Sequence, residues 1–292
     1  MTRVSAISTP LTMLKVLTAP ALHGATRRYF KAVFTKFFAL QYKAARTPGL
    51  IPVASVDHAL DATIPFSPKW VAIYLDFVPF WIRIIGFLLK TYQQEGLAAA
   101  ANFIDTMGQL YNSAAEVYAR HLSTTRRPRY LGSLRFIVIH AFDPHLMCIP
   151  SLHVMVVIRA YTKFRAIVQA MGDEQRLCVE LDAAQRHAIA ITESLLYIKQ
   201  HSINCVAAAM YAMTCFDAPL FPPEEARCFV DALFATPDKD GRPPETRPDA
   251  AERAAIQEQI WRLYQRFVEA GTTATAWEEP LLAFLRESPA AV

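Results

Sequence analysis

Residues 150–213 read PSLHVMVVIRAYTKFRAIVQAMGDEQRLCVELDAAQRHAIAITESLLYIKQHSINCVAAAMYAM, and the division of this stretch decides the fold class. Pro150-Ser151 is a helix-start signal, with Ser151 as the capping residue, so a helix is expected to run from there to about Ala170. Met171-Gly172-Asp173 breaks it. A long helical stretch follows from about Glu174 to Met213, in one piece or two. β-Branched alternation is sparse here and in the rest of the chain, and no internal repeat is visible. The expectation is an all-α helical bundle.

Upstream, a helical hairpin is predicted over 68–92 and 94–120, followed by the basic turn Thr124-Thr125-Arg126-Arg127-Pro128-Arg129. Thr47-Pro48-Gly49 ends an earlier helix and opens a loop. After Phe216 the composition shifts. Residues 218–251 are rich in Pro and charge, with Pro237–Pro244 as a plain loop, and 250–287 suggest two short amphipathic helices. Three stretches result: an acid-free basic amphipathic segment over 1–56, a helical core over 57–217, and a small, solvent-facing helical appendage over 218–292.

Composition narrows the function classes. With 53% hydrophobic and 19% charged residues among 292, the chain is no disordered tail. A chain of this length buries roughly 75% of its unfolded surface. Nine glycines against nineteen prolines, with no G-x-G-x-x-G or Walker-type loop, argue against a Gly-rich nucleotide-binding α/β protein. The five cysteines are odd in number and irregularly spaced, which suggests reduced, mostly buried thiols.

Charge distribution says more than the net +4. Met1–Val56 contains no Asp or Glu, yet carries Arg3, Lys15, Arg27, Arg28, Lys31, Lys36, Lys43 and Arg46. Such a segment suits an anionic surface. It also has the composition of a transit peptide, while a secretory signal pattern is not evident. Within 29–43, Phe30, Val33, Phe34, Phe37 and Phe38 share one helical stripe, and Lys31, Thr35 and Lys43 lie elsewhere on the wheel. This is the pattern of a basic helix at a lipid interface, or of a surface helix docked on a core. An anionic membrane surface is the expected partner, and nucleic acid is not.

The uncharged windows Gln200–Phe216 and Pro144–Ile158 fall short of the ~18–20 apolar residues of a spanning helix. Trp70–Leu89 is apolar but holds Asp76, Arg83 and Pro79. These helices either form a soluble core or span a bilayer while lining a polar interior. Membrane association is the expectation, integral or peripheral.

Three pieces carry chemistry: Arg120-x6-Arg127-Pro128, Pro150-Ser151-Leu152-His153, and Ser194-x6-His201. In this order they resemble the signature of the type 2 phosphatidic acid phosphatase and vanadium haloperoxidase superfamily, K-x6-R-P, then P-S-G-H, then S-R-x5-H-x3-D. Pro-Ser-Leu-His with Lys-Gln-His looks most like its lipid-phosphatase and headgroup-transferase branch. The resemblance covers about residues 110–215. It implies a phosphohistidine mechanism without metal or other cofactor. His201 would be the nucleophile and His153 the general acid; Arg120, Arg127, Ser151, the Leu152 N–H and Ser194 would hold the phosphate. The substrate would be a phosphorylated small molecule or a phospholipid headgroup. Cationic forks and a helix N-terminus are what a phosphate ester needs.

The pattern departs from the signature at four places. Arg120 replaces a Lys and Leu152 a Gly. Leu195 replaces an Arg, which Lys199 or Arg126 would have to compensate. Cys205 replaces the Asp that would orient His201, with Asn204 one position off. A catalytically degenerate member that binds phospholipid or a protein partner is therefore the alternative reading, and a soluble helical interaction protein is the other. Asp143, His140, His145, Cys148 and His153 are metal-ligand types within fourteen residues, at spacings that match no zinc template.

Overall fold

The computed structural model describes residues 3–235 and 247–291. The expected loop over Pro237–Pro244 lies outside the described residues. Ser8 caps α1 (Thr9–Thr18) by accepting from the Leu11 N–H. Pro20 then occupies the first turn of α2 (Pro20–Lys31), where its missing N–H costs nothing. A π-helical segment, Ala32–Phe38, carries α2 directly into α3 (Ala39–Arg46). The aromatic stripe expected over 29–43 thus lies on continuous helix. It packs with α2 along the hairpin helix described next.

After β1 (Val53–Ser55) come the short α4 (Val71–Tyr74) and the hairpin α5 (Phe77–Thr91) and α6 (Gln93–Tyr118). The expected bounds hold to within two residues at the inner ends and at Tyr118, but α5 itself begins nine residues after 68, because Pro68–Trp70 forms a 3-10 turn and Val71–Tyr74 a separate short helix. β2 (Leu122–Thr124) pairs in parallel with β1, Val53 opposite Leu122 and Ser55 opposite Thr124. α7 (Leu134–Phe142) follows the basic turn. α8 (Leu152–Ala170) starts at the Ser151 cap and ends at Met171-Gly172, where Gly172 takes φ +71°, a conformation glycine adopts without cost. The chain then returns as α9 (Cys178–Tyr197) and α10 (Ile203–Phe216), so the long stretch is two helices. α11 (Pro223–Ala232) falls within the Pro- and charge-rich region. α12 (Ala250–Gly271) opens with an Asp249/Glu252 capping box, and α13 (Glu279–Glu287) closes the helices.

Among the described residues the protein is all-α apart from this two-stranded ribbon. α8 packs against α5, α6, α9 and α10. α10 is buried from Ile203 through Met213, as its nearly unbroken apolar sequence requires. Each fully buried Ile or Met there contributes about 1.5–3 kcal/mol. The C-terminal stretch is more than the solvent-facing appendage expected. Ile256, Ile260, Leu263, Tyr264 and Phe267 of α12 are buried, and α12 packs along α10. The tail also joins the ribbon: Ser55 N–H donates to the Pro289 carbonyl (2.8 Å) and Ala291 N–H to the Val53 carbonyl (2.9 Å). Buried apolar residues from all three sequence stretches form one continuous core.

Pro68–Thr91 is long and apolar enough to cross a membrane, and 56% of its most apolar window is buried within the fold. A core helix and a membrane span both satisfy that test. All five cysteines are free; Cys148 and Cys205 are buried, whereas Cys178, Cys215 and Cys228 are exposed, contrary to the expectation of mostly buried thiols.

Candidate functional site

Three separate pieces of backbone build the site. The first is the segment 143–151, laid along β2. Ser123 N–H donates to the Leu146 carbonyl (3.0 Å), and the Ser123 hydroxyl accepts from the N–H groups of Cys148 (3.2 Å) and Ile149 (2.7 Å). A cis Ile149–Pro150 bond then delivers the chain to the cap of α8. Ser151 is fully buried and its hydroxyl accepts from the Val154 N–H, so it serves the helix start. His153 follows in the first turn and retains partial exposure.

The second piece is the link between α9 and α10. Lys199 takes φ +56°, and the Leu195 carbonyl accepts from the Gln200 N–H (2.9 Å), a left-handed helix end. His201 therefore sits in the helix break, one residue before the Ser202 cap of α10. Segment 58–64 braces this link. Asp61 Oδ1 accepts from the Ile203 N–H (3.0 Å), and Lys199 Nζ donates to the carbonyls of Asp61 and Ile64. The third piece is the turn after β2, which carries Arg127.

The three pieces meet. His201 Nε2 lies 3.4 Å from His153 Nδ1, with ring centroids 5.5 Å apart. Arg127 Nη1 donates to Gln200 Oε1 (3.1 Å), the residue beside His201, and Nη2 donates to the Asp143 carbonyl (2.9 Å). Arg127 also makes a loose 3.4 Å ion pair with the Asp143 carboxylate. Tyr74 and Phe77 wall the His153 ring at 5.0 and 4.3 Å between centroids. The Arg127 and Asp143 side chains keep 15% and 33% of their exposure, which leaves the site a way out to solvent on that side.

Behind the imidazoles lies a buried pair of thiols. Cys148 Sγ is 3.9 Å from His145 Nε2 and interacts with Cys205 and His201. The Cys205 S–H is the main reason the Cys148 thiol is held well below its ordinary value; burial opposes this and the His145 charge assists. Burial, then the neighbouring Cys148, keeps Cys205 well above its own. Burial works against a charge on His145, but Cys148 and Asp143 outweigh it and raise it to about 10. Asp143, despite burial, is held well below the usual carboxylate range by His145 and Arg127. Cys148 and Asp143 thus both favour a charged His145 ring between them. His153 is pushed down to about 3, by burial first and then by the His201 ring.

Hydrogen bonding around the site is incomplete. His201 Nδ1, Gln200 Nε2, Gln41 Oε1 and His140 Nε2 are buried without a partner. Buried polar atoms are nearly always paired, so such orphans call for an occupant or a function. His145 and Lys199, both non-glycine residues at positive φ, flank the same place.

The residues named by the motifs fare unequally. His153, His201 and Arg127 come together. Arg120 does not join them: it is half-exposed and paired with Glu278 at 2.9 Å. The Ser194 hydroxyl donates to the Ile191 carbonyl within its own helix (2.6 Å), and Leu195 is fully buried in the core. Leu152 is buried at the start of α8. Neither proposed substitute for the missing Arg reaches the site: Lys199 holds the 61–64 carbonyls, and Arg126 is exposed, with its backbone N–H on Asp57. Cys205 sits one turn after His201 beside Cys148, and the Asn204 amide donates to the Val56 carbonyl instead of to an imidazole. Sequence reasoning noticed Asp143, His145 and Cys148 only as metal-ligand types. Among the described residues, no group of three or more such side chains is placed to hold a metal ion. Gln200, Tyr74 and Phe77 carry no sequence signal of their role.

No family model, curated protein or solved structure matches this chain.

Proposed function

We propose that the protein is a phosphatase-like hydrolase acting at a membrane surface on a phosphomonoester or a phospholipid headgroup, through a phosphohistidine intermediate. The observation that carries the reading is the 3.4 Å approach of His153 to His201, forty-eight residues apart, with Arg127 bonded to the residue beside His201. His201 Nε2 attacks phosphorus and the ester P–O bond breaks. His153 gives its proton to the departing alkoxide. Water then attacks the phosphohistidine, His153 takes the water's proton, and the P–N bond breaks to release phosphate.

The charge balance of the free site fits a substrate that brings its own anion. Burial and the neighbouring His201 ring disfavour a proton on His153 in the free site. A bound phosphate dianion supplies the countercharge that lets His153 protonate. It also competes with Asp143 for the Arg127 fork, whose contact to that carboxylate is already loose.

The alternative is a non-catalytic relative that binds phospholipid or a protein partner. The observation favouring it is His201 Nδ1, which lacks the carboxylate that would fix its tautomer. Rapid quenching with a ³²P-labelled phosphate ester separates the two. The catalytic reading expects an acid-labile, base-stable label that is lost in His201→Gln. Binding of the ester without label or turnover supports the alternative.

A further inference from the structure

Two exposed apolar features meet beside the Asp143 side of the site. The first is α7 with the residue that precedes its turn. Leu131, Leu134, Ile137, Val138 and Phe142 are 44–75% exposed, while Phe136 and Ile139 anchor the opposite face in the core. The second is a ladder of rings at helical spacing, Phe30–Phe34–Phe38–Tyr42, exposed at Phe30 and Phe34 and half-buried at Phe38 and Tyr42, with successive centroids 5.9, 5.9 and 6.2 Å apart. The two are tied together. The Tyr42 hydroxyl donates to the Phe142 carbonyl (3.3 Å), and Gln41 Nε2 donates to Asp143 Oδ1 (3.2 Å). An apolar strip thus runs from α2 to the C-terminus of α7 and stops at the residue that contacts Arg127.

Cations border this strip. Lys36, Lys43 and Arg46 are exposed along the ladder, and Arg126, Arg129 and Arg135 are exposed around α7. No Asp or Glu occurs in 1–56 or in 126–142. An open groove of about 710 Å³ is floored by Phe34, Phe38 and Tyr42 and rimmed by Lys43 and Arg46. An apolar floor under a cationic rim has the chemistry of an anionic amphiphile.

We infer that α7 and the aromatic ladder form one membrane-docking surface for an anionic bilayer, with the aliphatic side chains among the acyl chains and the basic rim at the headgroups. A second copy of the chain is the poorer occupant, because it would set one basic rim against another. An anionic lipid surface matches both the charge and the apolar strip. The surface goes beyond the helix over 29–43 by adding α7 and by fixing which side of the site faces lipid. Only the consequence for substrate rests on the function proposed above: a phosphate headgroup would enter from the bilayer past Phe142.

The test is co-sedimentation of the purified full chain with phosphatidylcholine vesicles, with and without 30% phosphatidylserine. Wild type, Leu134→Glu and Val138→Glu are compared; both substituted side chains are exposed, and a circular dichroism melt checks the fold. Wild type is expected to favour the anionic vesicles, and each variant to lose about tenfold in partition. Para-nitrophenyl phosphate and vesicle-borne phosphatidic acid are then compared as substrates, with only the second expected to slow in the variants. Docking without hydrolysis of either ester upholds the surface and removes the phosphatase reading. Variants that partition like wild type, or equal binding to neutral and anionic vesicles, overturn the surface. So does a wild-type dimer by light scattering that the same substitutions dissociate in the absence of vesicle binding.

Discussion

The molecule contains two clusters of the same three groups, a carboxylate, a guanidinium and an imidazole, and they behave differently. In Asp76–Arg83–His187 the carboxylate is saturated. Arg83 grips both oxygens, at 2.9 and 2.5 Å, and His187 Nε2 contacts Oδ2 at 2.6 Å. Burial works against the Asp76 charge, but these bonds win and hold it below the usual carboxylate range. In Asp143–Arg127–His145 the ion pair is stretched to 3.4 Å, the guanidinium is shared with Gln200, and buried polar atoms nearby go unpaired. The first cluster ties α5 to α9 through a carboxylate with both oxygens bonded. The second leaves valences open around two imidazoles and two thiols. The same residue types therefore say little about function; the state of their hydrogen bonds says more.

Substitution of the imidazoles should break the comparison most sharply. His201→Gln is expected to lower turnover of a phosphate ester by about 10⁴-fold, as loss of a nucleophile does, whereas His187→Gln leaves turnover unchanged. Steady-state kinetics on both variants decides it, and equal losses would erase the distinction.

The arginines come next. Arg127→Ala should cost about 10²–10³-fold in kcat/KM, the loss of a phosphate donor. Arg83→Ala should instead cost about 2 kcal/mol in urea unfolding, because the largely buried Asp76 loses its two-pronged partner and keeps only His187, with turnover retained. Arg120→Ala, whose exposed guanidinium pairs with the buried Glu278 apart from both clusters, should cost about 1–3 kcal/mol by leaving that carboxylate without its cation and leave kcat/KM intact.

The thiols sharpen the picture further. Cys205→Asp exchanges the S–H that holds the Cys148 thiol below its ordinary value for a second negative group. Thiolate ultraviolet absorbance of the native protein at pH 6, read against a Cys148→Ser control, is expected to fall relative to wild type. Unchanged absorbance would mean that Cys205 does not control its neighbour. A gain in turnover in the same variant would identify the missing carboxylate as the weak point of the site.

A last effect concerns pH. His153 is depressed to about 3 in the folded chain, so the unfolded chain takes up a proton below about 6.5 that the native state refuses. The proton-binding difference makes this contribution to stability fall as pH drops from about 6.5 towards 3. Ring-proton NMR should find no His153 titration between pH 8 and 5 in the free protein, and an upward displacement when phosphate is added.

Much of the fold is legible in the sequence. The hairpin over 68–120 follows from its apolar runs, and α8 from Pro150-Ser151 and the break at Met171-Gly172. The division of α9 from α10 is harder to read. Lys199 terminates α9 in a left-handed conformation that glycine or asparagine usually supplies, so no punctuation marks it. α7 was missed because its outward face is as apolar as its inward face, which erases the helical period. The appendage was underrated because amphipathicity reveals that α12 has an apolar face, without revealing that α10 is there to receive it. At the site, motif spacing brought His153, His201 and Arg127 into view. Arg120 was misplaced because a seven-residue spacing says nothing about the β2 turn that separates the two arginines. Asp143, His145 and Cys148 were visible only as residue types, since their mutual contacts depend on the Ser123 hydroxyl gathering the loop onto β2.

The central claim is that His153, His201 and Arg127 surround one tetrahedral oxyanion. A crystal structure of the protein soaked with orthovanadate tests it most directly. The account predicts vanadium bonded to His201 Nε2, with Arg127 moved from Asp143 onto an equatorial oxygen and His153 facing the apical position. Vanadium bound elsewhere, with Arg127 still on Asp143 and the two imidazoles undisturbed, would contradict it.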